Sequence, residues 1–210
     1  MSIKTRLLLV RHGATVFSAE DRFAGSSDVA LSDEGRAQAV ALGNRIAKEK
    51  ISAAYCSDMS RAIETATLLA QPHGLIATPN RALREVDHGH WEGMRHKEVE
   101  ERFAHEYAAW DADPLLAAPK GGESGLAVLA RSLPALCEIL LKHTGQQVLI
   151  VSHKATLRIL IASLLGMDLR TYRKRLTQYL CCLNVIDFKE ASDPQLVLMN
   201  DISHYSPIPK

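Results

Sequence analysis

Two short runs of this 210-residue sequence end in side chains able to handle an anion. Leu7-Leu8-Leu9-Val10 leads into Arg11, His12 and Gly13, and Val148-Leu149-Ile150-Val151 leads into Ser152 and His153. Each apolar run is too short for a helix and reads as a strand buried on both faces. Open α/β sheets gather their ligands at the carboxyl ends of such strands. If the two strands are parallel neighbours, His12 and His153 open onto one crevice. Arg61 follows Ser57-Asp58 in the first turn of a predicted helix, where the helix dipole disfavours a cation. Two readings account for it: an oxyanion shared by the helix amides and the guanidinium fork, or simple pairing with Asp58 or Glu64. A histidine at a strand end is by itself more often structural than catalytic, so the case rests on the convergence of Arg11, His12, Arg61 and His153.

A phosphate held by two arginines and flanked by two histidines can react without a metal. One neutral imidazole attacks phosphorus, the second hydrogen-bonds the transferring oxygens, and the arginines offset their charge. An acid must then protonate the leaving alkoxide. Glu85, within Leu83-Arg84-Glu85-Val86-Asp87-His88-Gly89, is a candidate because that segment falls where a cover over the crevice belongs. Spacing alone does not separate it from Asp87 or Glu123. No HExxH and no two-metal carboxylate cluster occurs, so no metal is expected; His88 and His90 with Asp87 come nearest to a ligand set and read as surface or lid residues. Neither GxxxxGK[ST] nor GxGxxG is present, and no cofactor is expected.

The elements that must position these groups follow in order. Residues 14 to 31 read as a long loop, Ser32 caps a helix to about residue 49, residues 51 to 56 form a strand, and Ser57-Asp58 offers a cap for a second helix ended by Pro72 and Gly74. From Pro79 to Pro119 the pattern changes to a polar helix near 95 to 110, an insertion capping the crevice. Gly121-Gly122-Glu123-Ser124 opens a helix to about Lys142, kinked at Pro134; then come a strand at 147 to 152, a helix from Ala155 to Leu165, a basic run Arg170 to Arg175 on a solvated face, and two closing strands joined at Ser192-Asp193-Pro194. The expectation is a three-layer α/β fold: one domain over 1–210 with a mostly parallel central sheet, helices on both faces, and a helical lid insertion at about 79–120.

The 25 basic and 24 acidic residues leave a net charge of +1, which gives no basis for a nucleic-acid surface or a membrane patch. Aromatic content of 5% predicts an aliphatic core. Cys56, Cys137, Cys181 and Cys182 have neither disulfide nor zinc spacing and read as buried thiols of a reducing compartment. With no apolar leader and no membrane-spanning run, a soluble cytoplasmic protein is expected.

These motifs together resemble the histidine phosphatase superfamily, also called the phosphoglycerate mutase-like family. Arg11-His12-Gly13 is similar to its signature, and Asp21-Arg22-Phe23-Ala24-Gly25, Asp28, Leu31-Ser32 and Gly35 to the loop after it. Ser57 to Ala62 with Thr65-Ala66 resembles the second motif, Leu83 to Gly93 the acid-bearing lid, Gly121 to Ser124 the next turn, and Ser152-His153 the second histidine. The resemblance implies a phosphohistidine on His12, a proton donor in Glu85, and a phosphate pocket of Arg11, Arg61 and His153. It adds Ser18, Ala24, Gly25 and Lys154 as substrate contacts. Four positions depart from the family pattern: Ala14 stands where an acid or amide is usual, Phe17-Ser18 replaces a tryptophan-asparagine pair, and Lys154 replaces a glycine. Lys154 either reads a carboxylate or second phosphate on the substrate or points to solvent. The chain lacks the histidine-tyrosine lid signature of the mutases, having Val86-Asp87-His88-Gly89 there, so hydrolysis of a small phosphate ester is expected. Mutase-type transfer and an inactive ester-binding scaffold are the alternatives. A homodimer through the closing strands, with Cys181-Cys182-Leu183 at the contact, is also open, the bland reading of that stretch being core.

Overall fold

The two-residue period of a strand sends Leu7 and Leu9 to one side of β1 (Thr5–Arg11) and Leu8 and Val10 to the other. All four are buried in the computed structural model, which describes residues 4–20, 22–190 and 193–205. In chain order there follow α1 (Asp33–Ile46), β2 (Ile51–Cys56), α2 (Ser60–Ala70), β3 (Thr78–Pro79), α3 (His96–Arg102), α4 (Ala104–Ala112) and α5 (Gly125–Lys142). Then come β4 (Gln147–Ser152), α6 (Lys154–Leu164), α7 (Tyr172–Arg175), β5 (Leu183–Phe188) and β6 (Pro194–Asp201).

The strands lie in the order β3-β2-β4-β1-β5-β6. The first four are parallel, and β5 and β6 run antiparallel to their neighbours. β1 and β4 are adjacent and parallel, with Arg11 opposite Ser152, so the two histidine-bearing strand ends meet as expected. Leu7, Leu9, Val148 and Ile150 pack against Val128, Leu136 and Ile139 of α5 and Leu157, Leu160 and Ile161 of α6. Leu8, Val10, Leu149 and Val151 pack against Ala39, Leu42 and Ile46 of α1 and Ala62, Ala66 and Leu69 of α2. The result is the three-layer α/β arrangement, in which each such aliphatic side chain contributes about 1.5–3 kcal/mol by leaving water.

Caps place two of the helices as the sequence suggests: Ser32 Oγ accepts from the Gly35 amide at 3.2 Å, and Ser124 Oγ from the Ala127 amide at 3.3 Å. Elsewhere the structure differs. α2 begins at Ser60, and Asp28 from the distant loop, not Ser57 or Asp58, accepts from the Ser60 amide at 2.8 Å and its hydroxyl at 2.7 Å. Asp58 is drawn off to Arg84. The polar helix near 95 to 110 is two helices broken at Phe103, whose ring packs with the Trp91 and Trp110 cluster. The basic run is not a wholly solvated face, because Arg173 stacks 3.6 Å from the Trp110 ring centre and donates to Asp111 at 3.1 Å.

α5 continues through Pro134 to Lys142. Cys56, Cys181 and Cys182 are buried thiols, but Cys137 is exposed on α5. Cys181, Cys182 and Leu183 lie in the core, which removes them as a contact surface. Ser192 of the expected closing turn lies outside the described residues. Among the described residues no helix is long and apolar enough to cross a membrane.

Candidate active site

The β1–β4 ladder continues one residue past Arg11, where the His12 amide donates to the Ser152 carbonyl at 3.0 Å. This carries the His12 ring beside that of His153, their centres 5.1 Å apart. Gly13 permits the first turn of α1 to close against this strand end, since a Cβ there would meet the Gly35 carbonyl at 2.5 Å. His12 Nδ1 lies 2.7 Å from the Gly13 carbonyl. A carbonyl only accepts, so Nδ1 carries the proton and Nε2 the lone pair. Burial, reinforced by Arg61 and Arg11, holds the His12 pKa well below the usual 6.5, and the ring is neutral at pH 7. Burial does the same to His153, with Arg61, His12 and Arg11 adding to it. Neither ring nitrogen of His153 has a hydrogen-bond partner within the described chain.

Both arginines are held by backbone carbonyls, which orient a guanidinium without neutralising it. Arg11 donates to the Gln178 carbonyl at 2.8 Å. The Gln178 and Asn184 amides bond each other reciprocally at 2.9 Å, and Asn184 ties the pair to the Leu9 carbonyl at 3.0 Å. Arg61, only 1% exposed, donates to the carbonyls of Ser27 at 2.8 Å, Gly25 at 3.0 Å and Ala24 at 3.2 Å. Pairing with Asp58 or Glu64 is overturned: those carboxylates are taken by Arg84 and Arg36.

Glu85 sits at the first turn of α6. Its carboxylate accepts from the amides of Val86, Ala155 and Thr156 at 3.0, 3.1 and 3.2 Å. Arg131 of α5 fastens the backbone behind it, donating to the carbonyls of Ala82, Arg84 and Glu85 at 2.8, 2.9 and 3.0 Å. The same guanidinium grips Glu123 through Nε and Nη2 at 2.9 and 2.8 Å, which commits that carboxylate. Asp87 is turned to the Gly89 amide at 2.8 Å and the Ser26 hydroxyl at 3.3 Å. Arg11, His12, Ser18, Ala24, Arg61, Glu85 and Lys154 line one cavity of about 530 Å³. His153 lies fully buried behind His12. The Ser18 hydroxyl is shared with the Thr15 amide and hydroxyl, both at 3.0 Å. Gly25 serves Arg61 with its carbonyl and Glu92 with its amide and is not in the cavity wall; Asp21 lies outside the described residues.

Residues 7–202 match the histidine phosphatase superfamily (branch 1). The chain belongs to this superfamily. It is 37% identical over 169 residues to the glucosyl-3-phosphoglycerate phosphatase of Mycolicibacterium vanbaalenii, an alignment covering 77% of this chain and 75% of that protein. Phosphoserine phosphatase 1 of Hydrogenobacter thermophilus is 32% identical over 167 residues, covering 80% and 79%. Among solved structures, Bacillus stearothermophilus YhfR superposes with a TM-score of 0.89 at 31% identity, covering 95% of this chain and 98% of that one. The protein is a phosphoric monoester hydrolase.

Several residues on which this histidine phosphatase depends carry little sequence signal. Asn184 had one, as an amide within the apolar run Leu183-Asn184-Val185-Ile186. Arg131 had none, and Glu92 fell within the Leu83 to Gly93 motif with no role of its own, since each acts mainly on backbone far away in the chain. Among the described residues no group of three or more His, Cys, Asp or Glu is placed to hold a metal ion; His88 packs edge-on against Phe23, and His90 pairs with Glu106.

Glu92 gathers the loop that holds Arg61. Its carboxylate accepts from the amides of Gly25, Ser26, Ser27 and His88 at 3.0, 2.9, 3.1 and 3.0 Å, and from the Ser27 hydroxyl at 2.7 Å. Burial works against that charge, but the donors from Ser27, His88 and Ser26 outweigh it and leave the pKa below the ordinary carboxylate value. Glu92→Gln replaces one accepting oxygen with a donor facing amides. It should cost about 2 kcal/mol, read as a fall in Tm of about 4–8 °C. An unchanged Tm would remove Glu92 from this role.

Proposed function

We propose that this phosphatase hydrolyses a small phosphorylated metabolite, a sugar phosphate or phosphoglycerate-type ester, through a phosphohistidine on His12 and without a metal ion. The observation that carries this reading is the neutral His12, protonated on Nδ1, in a cavity wall shared with Arg11, Arg61 and Glu85. The names of the relatives point the same way: one acts on phosphoserine, another on glucosyl-3-phosphoglycerate, and a third is a metal-independent phosphoserine phosphatase of Arabidopsis thaliana.

In the first step the His12 Nε2 lone pair forms a bond to phosphorus while the ester P–O bond breaks. The electron pair leaves on the alcohol oxygen, which takes a proton from Glu85. Arg11 and Arg61 balance the charge on the three transferring oxygens, and the neutral His153 ring contributes a hydrogen bond to them. Water then attacks the phosphohistidine with Glu85 accepting its proton, which releases inorganic phosphate and restores His12. Ser18, Ala24 and Lys154 complete the wall around the ester. Residues 79–120 act as a lid within one domain, a role supported by Val86, His88, His96 and Trp110 in the cavity wall. A cytoplasmic setting is part of the same reading, supported by the buried free thiols, and so is a homodimer, for which the edge strand β6 with Val197 exposed is the available surface.

The first test is phosphorus NMR of the protein in excess chelator with 3-phosphoglycerate and an aryl phosphate. Free phosphate is expected, whereas a shifted ester resonance without free phosphate would assign a mutase. His12→Ala should fold and lose turnover by at least ~10³-fold, and retained activity would sink the phosphohistidine. Glu85→Gln should slow an alkyl phosphate by ~10²-fold or more and an aryl phosphate far less, because a phenolate hardly needs the proton; equal slowing would move the acid elsewhere.

The pH profile follows from His12. The reactive form is the neutral ring, and its pKa is lowered from 6.5. As pH falls through 6.5 the nucleophile therefore stays available, and it is lost only further down. Once the ester's own ionisation near pH 6 is divided out, kcat/KM should hold through pH 6.5, and an acid limb centred at 6.5 would contradict the assignment.

A further inference from the structure

Arg11 and Arg61 are both anchored by carbonyls at the phosphate end of the cavity, yet a third guanidinium in the same wall has no such task. Arg158 lines the cavity from α6, one turn beyond Lys154, which lines it too. Residues four apart share a helix face, so the two cations stand together. Arg158 is partly buried; its Nε is wholly buried without a partner, and no hydrogen bond or ion pair engages its side chain among the described residues. Its electrostatic surroundings are Glu85, Tyr172, Arg173 and Cys182, and its charge reaches Arg11. Burial disfavours the charged form of Arg158, and the negative charge of Glu85 only partly offsets this. The neighbouring Arg173 is already committed to Trp110 and Asp111. Buried polar groups without partners are rare enough to need an explanation, and an unpaired guanidinium fork is shaped for a planar anion.

The position says which part of a substrate that anion belongs to. If Glu85 protonates the leaving oxygen, a cavity-lining group about one turn along α6 from Ala155, whose amide donates to Glu85, faces the departing alcohol and not the phosphoryl group. We propose that Arg158, with Lys154 next to it, binds a carboxylate on the leaving alcohol, so that phosphorylated hydroxy acids and amino acids are preferred over esters of neutral alcohols. This assignment rests on the hydrolytic reading of the site given above.

The test compares 3-phosphoglycerate with glycerol 3-phosphate, which carry the phosphate on the same three-carbon skeleton and differ in the carboxylate. The wild-type enzyme should favour 3-phosphoglycerate by ~10–100-fold in kcat/KM, the range expected for a charged, bidentate contact. Arg158→Gln should cut that ratio at least ~10-fold, chiefly through KM, and Arg158→Lys, which keeps the charge but not the fork, should restore part of it; thermal melts check that both variants fold. Equal wild-type use of the two esters overturns the proposal without any variant. So does a Gln substitution that leaves the ratio intact or lowers both esters by one factor, which would make Arg158 a phosphate-pocket or structural residue. A loss confined to a sugar bisphosphate reassigns the subsite to a second phosphate and also overturns it. Turnover of aryl phosphate with neither three-carbon ester used rejects the carboxylate subsite alone. No turnover of any of the three rejects the hydrolytic reading itself.

Discussion

The parallel pairing of β1 with β4, with Arg11 opposite Ser152, is the constraint on which the site depends. It brings two buried histidines from distant parts of the chain to rings 5.1 Å apart. Burial, reinforced by Arg61 and Arg11, makes both rings neutral at ordinary pH, and a neutral imidazole is the form with a lone pair to give. The same pairing sets where the α6 amino end falls, because α6 starts at Lys154, just past β4. Slipping the register by one residue would exchange the two core faces and turn the histidine away from its partner.

Around that pair the chain uses main-chain atoms to aim charged side chains. Arg61 is held by three carbonyls of the 24–27 loop, and that loop is itself gathered by the Glu92 carboxylate. Arg11 is aimed by the Gln178 carbonyl, which the Gln178–Asn184 amide pair steadies. Arg131 performs the corresponding task for Glu85, gripping the carbonyls of Ala82, Arg84 and Glu85. A carbonyl directs a guanidinium without cancelling its charge, whereas a carboxylate would do both and weaken an anion site. The ion pairs of Arg36 with Glu64 and Arg84 with Asp58 lie at the outside, where they leave the pocket arginines uncompensated.

The cavity wall away from the phosphate end is built by the 79–120 segment and by the stretch after α6. Phe23 stacks on His96 and packs against Trp91 and Trp110, and Arg173 lies over Trp110, so the two stretches are joined across the cavity. The family resemblance rests chiefly on Arg11-His12-Gly13, Ser57 to Ala62 and Ser152-His153, at the strand ends. This other wall takes Val86 and His88 from the Leu83 to Gly93 motif, but His96, Trp110, Tyr172 and Arg173 from stretches outside the motifs.

The sequence by itself determined the layered fold, because aliphatic runs bounded by turn residues can be satisfied only by a sheet covered on both faces. It also singled out Arg11, His12, Arg61 and His153, which sit at strand ends and a helix start, whereas Glu85 stood out from Asp87 and Glu123 only through the family resemblance. Tertiary structure alone decided what holds them. Arg61 reads locally as a partner of Asp58 or Glu64, and only the fold brings the carbonyls of residues 24, 25 and 27 within reach. The α2 cap comes from Asp28, the Glu123 carboxylate is committed by Arg131, and Arg158 is left unpaired, each through contacts between residues far apart in the chain. Apolar burial is periodic and can be read along one strand or helix. A hydrogen bond to a carbonyl has no residue code, so its partner exists only once the chain has folded.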